Sequence, residues 1–77
     1  MLQPSSVEEL RRFGENLRAR RQALGLSQDR VAALAGLDQK AVSDVEVGAR
    51  NATFDVLQRL AQAVGCTVNL SLAAPGD

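Results

Sequence analysis

The 77-residue chain contains no histidine and a single cysteine, Cys66. One thiol forms no internal disulfide, and without imidazole or further thiols there is no ligand set for a structural zinc. The acid–base work that histidine does in most active sites is excluded with it. No glycine-rich phosphate loop is present. No apolar run has the length of a signal-peptide core or of a membrane span, so a cytoplasmic location away from membranes is expected. Asn51-Ala52-Thr53 has the form of a glycosylation acceptor, which without secretion is read as chance. Glu8-Glu9 is the nearest approach to a catalytic acid pair, but Ser6-Val7-Glu8-Glu9 reads better as a capping box opening a helix. A protein that is not an enzyme, with no cofactor and no metal, is the expectation.

A chain this short builds a thin core, and with disulfide and metal excluded, self-association is the expected reinforcement. Nine basic and nine acidic residues cancel. Their distribution is less even. From Leu10 to Arg50 there are eight basic residues against five acidic ones, an excess of three positive charges over the middle of the chain. That is a mild basic bias of the kind a nucleic-acid surface carries.

Hydrophobic spacing divides the chain. Residues 1–5 read as a lead-in, and Ser6 as the cap of a helix that runs to about Leu24. Val7, Leu10, Phe13, Leu17 and Leu24 form its inward stripe. Gly14 interrupts it, at a cost of up to about 1 kcal/mol relative to alanine, which predicts loose first turns. Ser27 caps a second helix with Val31, Ala32 and Ala35 on one face, and Gly36 follows. Asp38 caps a third, with Val42 and Val45 inward and Gly48 as its stop. Thr53 caps a fourth, with Phe54, Leu57, Leu60, Ala61 and Val64 inward and Gly65 as its stop. Then the period changes to two. In "CTVNLSL" Val68, Leu70 and Leu72 alternate with Thr67, Asn69 and Ser71, which is strand spacing. Residues 73–77 are a tail. No internal repeat or linker appears, so 6–65 is read as one helical domain and 66–72 as its appended strand.

The short joint between the second and third helices is the most informative feature. Two helices joined by a turn of three or four residues with a glycine make a helix-turn-helix. Counting Gln28 as position one, Ala32 falls at five, Gly36 at nine, Val42 at fifteen and Val45 at eighteen. A methyl group at Ala32 lets the helices touch, Gly36 suits a positive φ, and the valines anchor the second helix to the core. An ordinary corner in a small bundle would share one or two of these features. All four, preceded by "GLSQ" and followed by Glu46-Val47-Gly48, favour a DNA-binding type.

The run "LRARRQALGLSQDRVAALAGLDQKAVSDVEVGARNATFDVLQRLAQAVG" resembles the Cro/C1-type (XRE-like) helix-turn-helix family of phage and bacterial repressors. The likeness extends over residues 14–65, roughly two thirds of the chain. It implies an all-α, lambda-repressor-like domain of four to five helices, and a third helix that enters the major groove of double-stranded DNA. By the same resemblance, Gln28 binds a phosphate and buttresses the recognition helix. Gln39, Lys40, Ser43 and Asp44 are the base-reading positions, where glutamine pairs with adenine and lysine with guanine. Arg50 and Asn51 match a loop that contacts phosphates. Arg21 and Glu46 match a structural ion pair between the first helix and the end of the recognition helix.

Some residues depart from the family pattern. Asp44 brings a negative charge toward DNA, either to accept from a cytosine amino group or to weaken binding. Ala52 replaces a frequent proline. Leu34 occupies a usually polar position, and packing against the first helix is favoured over contact with a partner. Cys66 reads as a small buried residue rather than a redox switch.

A lone strand needs a partner. The simplest is the same strand of a second copy, so that Val68, Leu70 and Leu72 pair across a homodimer and set two recognition helices about one DNA turn apart, facing an inverted-repeat operator. A tail folded over its own subunit is the alternative. A helical repressor domain with such a strand, "TFDVLQRLAQAVGCTVNLSL", is similar to the HipB-type antitoxins. That likeness implies a repressor of its own toxin–antitoxin operon that neutralises a HipA-like kinase toxin. A stand-alone regulator, or an interaction module that has lost DNA binding, would present much the same sequence.

Overall fold

The computed structural model describes residues 7–48 and 52–66. Four helices make up most of them: α1 (Val7–Ala23), α2 (Gln28–Ala35), α3 (Gln39–Glu46) and α4 (Phe54–Ala63). The last three each begin at a side-chain cap. The Ser27 hydroxyl accepts from the Arg30 N–H at 3.0 Å, the Asp38 carboxylate from the Ala41 N–H at 2.9 Å, and the Thr53 hydroxyl from the Val56 N–H at 3.2 Å. Each satisfies a backbone donor that the first turn leaves unpaired, worth about 1 kcal/mol. Gly36 closes α2 with φ 71°, and Leu37 returns its N–H to the Ala32 carbonyl at 2.9 Å. Glycine takes that left-handed conformation without a Cβ penalty, so the chain reverses in three residues and α3 starts at once.

α3 packs against both α1 and α2, and α4 packs against α2. Val31, Val42, Leu57 and Leu60 are fully enclosed. Each contributes about 1.5–3 kcal/mol relative to an exposed position. Leu17, Ala32, Ala35, Val45, Ala52 and Val64 complete the core, with Leu10, Phe13, Leu26 and Leu37 packed against it. The Arg20 guanidinium donates to the Val64 carbonyl at 3.1 Å and ties α1 to the end of α4.

Several inward assignments are corrected. Val7 is 80% exposed, because α1 meets the rest of the fold around Gly14 and Leu17, two turns further on. Leu24 is exposed because α1 stops at Ala23 and the turn at Gly25 gives the inward place to Leu26. Phe54 is 50% exposed at the first position of α4, and Ala52 occupies the core beside it. Leu34 is exposed rather than packed on α1, and Cys66, expected to be buried, lies in the open past the end of α4. The capping box at Ser6 and the strand with Val68, Leu70 and Leu72 lie outside the described residues. Among the described residues there is no strand, and no helix is long and apolar enough to cross a membrane.

Gly14 has a different role from the one its helix propensity suggests. A Cβ there would collide with the Val45 carbonyl oxygen and lie 2.9 Å from that of Glu46. Its absence lets α1 close onto the C-terminal turn of α3. Gly14→Ala should therefore lower stability by about 1–3 kcal/mol, the scale of an overpacked contact, although alanine is the better helix former. Urea unfolding of the two proteins measures this, and a more stable variant would show that the helices do not approach this closely.

Candidate nucleic-acid interface

The eight residues of α3 sort cleanly by face. Ala41, Val42, Val45 and Glu46 are buried, while Gln39 and Lys40 are exposed and Ser43 and Asp44 half-buried. The spacing of the buried set is helical, and three of its four members are the aliphatic anchors of α3. The fourth is a carboxylate. Burying it demands hydrogen bonds and a countercharge.

Two side chains, one from each of two other helices, and one backbone link meet that demand. Arg21 of α1 donates to Glu46 through Nε at 2.6 Å and Nη2 at 3.0 Å, the forked geometry that suits a carboxylate. Its remaining Nη1 donates to the Leu26 carbonyl at 2.9 Å, so the turn after α1 holds the guanidinium in place. Gln28, at the start of α2, donates through Nε2 to Glu46 Oε1 at 3.0 Å. A carboxylate only accepts, so Gln28 turns its amide nitrogen inward and its oxygen outward. That oxygen accepts from Gln39 Nε2 at 2.6 Å. A relay thus runs from the buried Arg21–Glu46 pair through Gln28 to the first exposed residue of α3. Gln39 is left with its own carbonyl oxygen and one N–H, an acceptor and a donor side by side.

Burial alone would push the Glu46 carboxyl up. The hydrogen bonds from Arg21 and Gln28, with the charges of Arg21 and Arg18, outweigh it and hold the group below the usual carboxylate range. Arg21 is raised in turn, first by its hydrogen bond to Glu46 and then by that charge, against the cost of its own burial.

The outer row has a second pairing. Lys40 Nζ lies 3.2 Å from Asp44 Oδ2, one turn along α3. Of the residues singled out in the sequence, the structure joins Arg21, Gln28, Gln39 and Glu46 in one network and sets Lys40 against Asp44, with Ser43 between the two on the same face. Arg50 and Asn51 lie outside the described residues. Sequence reasoning treated Gln28 and Glu46 as separate features and missed their contact. It also missed the Lys40–Asp44 pair, although the four-residue spacing was a usable signal. A shallow groove lined by Leu34, Ala35, Arg59, Gln62 and Ala63 shares no residue with this face.

Residues 17–70 match the family described as Helix-turn-helix, HTH_3. The chain is 39% identical, over 64 residues, to the uncharacterized HTH-type transcriptional regulator y4dJ of Sinorhizobium fredii, with 83% of this chain and 82% of that protein covered. It is also similar to the crystal structure of the restriction-modification controller protein C.AhdI from Aeromonas hydrophila. There the TM-score is 0.71 and the identity 42%, across 77% of this chain and 89% of that one.

Because Glu46 is held below its ordinary pKa of about 4.3, its contribution to stability is complete above that pH and is lost as pH falls through the lower native value. Glu46→Gln should be less stable than the native protein at neutral pH, with the gap narrowing in acid. Arg21→Ala strands a buried carboxylate and should cost about 3–5 kcal/mol at pH 7. Chemical unfolding between pH 2 and 7 tests both. A constant gap between the native protein and Glu46→Gln would mean that Glu46 does not titrate differently on folding.

Proposed function

The chain belongs to the helix-turn-helix family HTH_3, the Cro/C1-type, XRE-like DNA-binding regulators, and we propose that it is a transcriptional repressor that reads an inverted-repeat operator as a homodimer. One observation carries this reading. The polar row Gln39, Lys40, Ser43 and Asp44 faces outward from a short helix whose inward side is locked by a buried ion pair. Such a row suits the major groove, where donors and acceptors on base edges distinguish all four base pairs. Gln28, Arg50 and Asn51 are assigned to phosphates, which set register rather than sequence. The homodimer is supported by the alternation of Val68, Leu70 and Leu72 and by the small size of the core.

What the two relatives are named for, transcriptional regulation and control of a restriction-modification system, fits a DNA-binding regulator. The narrower role, antitoxin of a HipBA-like operon with a HipA-like kinase as partner, draws support only from the pattern over residues 66–72. Stoichiometric recovery of a kinase with the tagged chain from its host would favour that role. Recovery of the chain with DNA alone would favour the stand-alone regulator.

Binding to the DNA upstream of its own coding sequence should weaken steeply with salt, since phosphate neutralisation releases counterions. Lys40→Glu should reduce that affinity by at least about tenfold. Fluorescence anisotropy across a salt series gives both values. Salt-insensitive binding, or a variant equal to the native protein, would instead support an interaction module that has lost its DNA contacts.

A further inference from the structure

Leu34 is 50% exposed on α2 and has no part in the face described above. It lines a groove of about 240 Å³ between the end of α2 and α4. Leu34, Ala35 and Ala63 make its floor apolar, and Arg59 and Gln62 form a polar rim. Arg59 donates from Nε to Asp55 at 3.0 Å and stands over the turn, where a Cβ on Gly36 would lie 3.4 Å from its Nη1. Among the lining residues Arg59 carries the charge, and Asp55 offsets it, which disfavours an ionic ligand. The volume is also below the range of about 300–1,000 Å³ usual for small-molecule sites. An open apolar floor of this size suits a few aliphatic side chains of a peptide segment.

The chain itself supplies such a segment. α4 ends at Ala63, on the wall of the groove. Gly65 then takes φ 76°, and Cys66 returns its N–H to the Ala61 carbonyl at 2.8 Å, so the chain turns off the helix axis. The family match continues to residue 70, beyond the end of α4, and so takes in part of the segment that follows. In that segment Val68, Leu70 and Leu72 alternate with Thr67, Asn69 and Ser71, a pattern that needs one face covered. An extended chain advances about 3.3 Å per residue, so Val68 to Leu72 would span about 13 Å. Arg59 to Ala63 span about 6 Å of α4 at 1.5 Å per residue. The segment is therefore long enough to cover the groove, and its tether to α4 makes the contact intramolecular.

We infer that the groove is the docking site of the chain's own residues 67–72, with Val68 and Leu70 against Leu34, Ala35 and Ala63 and with Thr67, Asn69 and Ser71 outward. This gives the exposed Leu34 a function. It leaves a backbone edge of the segment to pair with a second copy in the proposed homodimer, and it does not depend on the reading of α3.

The test is disulfide trapping in the full chain, with Cys66→Ser to remove the native thiol. Leu34→Cys is combined in turn with Val68→Cys, Asn69→Cys and Leu70→Cys. Oxidation at low protein concentration is followed by non-reducing electrophoresis and mass spectrometry of proteolytic fragments, and thermal midpoints of the reduced chains confirm that each is folded. A bridge within one chain should form with Val68→Cys or Leu70→Cys at least about tenfold faster than with Asn69→Cys, because side chains alternate in face and a disulfide needs its Cβ atoms close. Bridges between chains would assign the groove to a second copy and overturn the inference. Equal rates at all three positions would show a segment that passes the groove without docking, and no bridge at any of them would leave the groove to a separate partner. Either result also overturns it.

Discussion

Glu46 is a carboxylate placed among aliphatic side chains, and the arrangement of the other helices follows from keeping it charged there. A buried carboxylate without partners is far costlier than any single contact in so small a core. Arg21 reaches it because α1 lies against the end of α3, and α1 lies there because Gly14 has no side chain to hold it off. Gln28 reaches it because the turn at Gly36 folds α2 back on α3. Gly14, Arg21, Gln28 and Gly36 are spread over 23 positions of sequence and answer to one charge.

The arrangement explains how an eight-residue helix serves as a rigid surface. Isolated helices of that length do not persist in water, and most of their stability in proteins comes from tertiary packing. Here the inward valines supply the packing and the ion pair supplies orientation. The relay through Gln28 carries that orientation to the exposed face. Its hydrogen bond to Gln28 restrains the exposed Gln39 side chain, and such restraint lowers the entropy lost on contact with a base edge.

Much of the fold was legible in the sequence. Caps at Ser27, Asp38 and Thr53, together with glycines after the helices, located α2, α3 and α4 because capping and left-handed turns are local chemistry. The anchors Val42, Val45, Leu57 and Leu60 followed from helical spacing. Failures came where tertiary contact overrode local preference. Gly14 has the sequence character of a weak point, and only the neighbouring carbonyls of α3 show why it is small. Val7, Leu24 and Phe54 lie at helix ends, where spacing continues to indicate a stripe but the core has already stopped. The site residues on α3 were legible as a polar row through resemblance to a family. Their links, Gln28 to both Glu46 and Gln39 and Lys40 to Asp44, depend on rotamers and distances that a pattern does not specify.

The buried pair orients the exposed face of α3 through Gln28. Gln28→Ala tests it most directly, because it cuts the relay while leaving both Arg21 bonds to Glu46 in place. The measurement is base preference, from anisotropy on the operator and on single-pair changes at the position read by Gln39. Discrimination at that position should fall toward equality while preferences read elsewhere on α3 persist. A uniform loss of affinity with base preference intact would contradict it, reducing Gln28 to a phosphate contact.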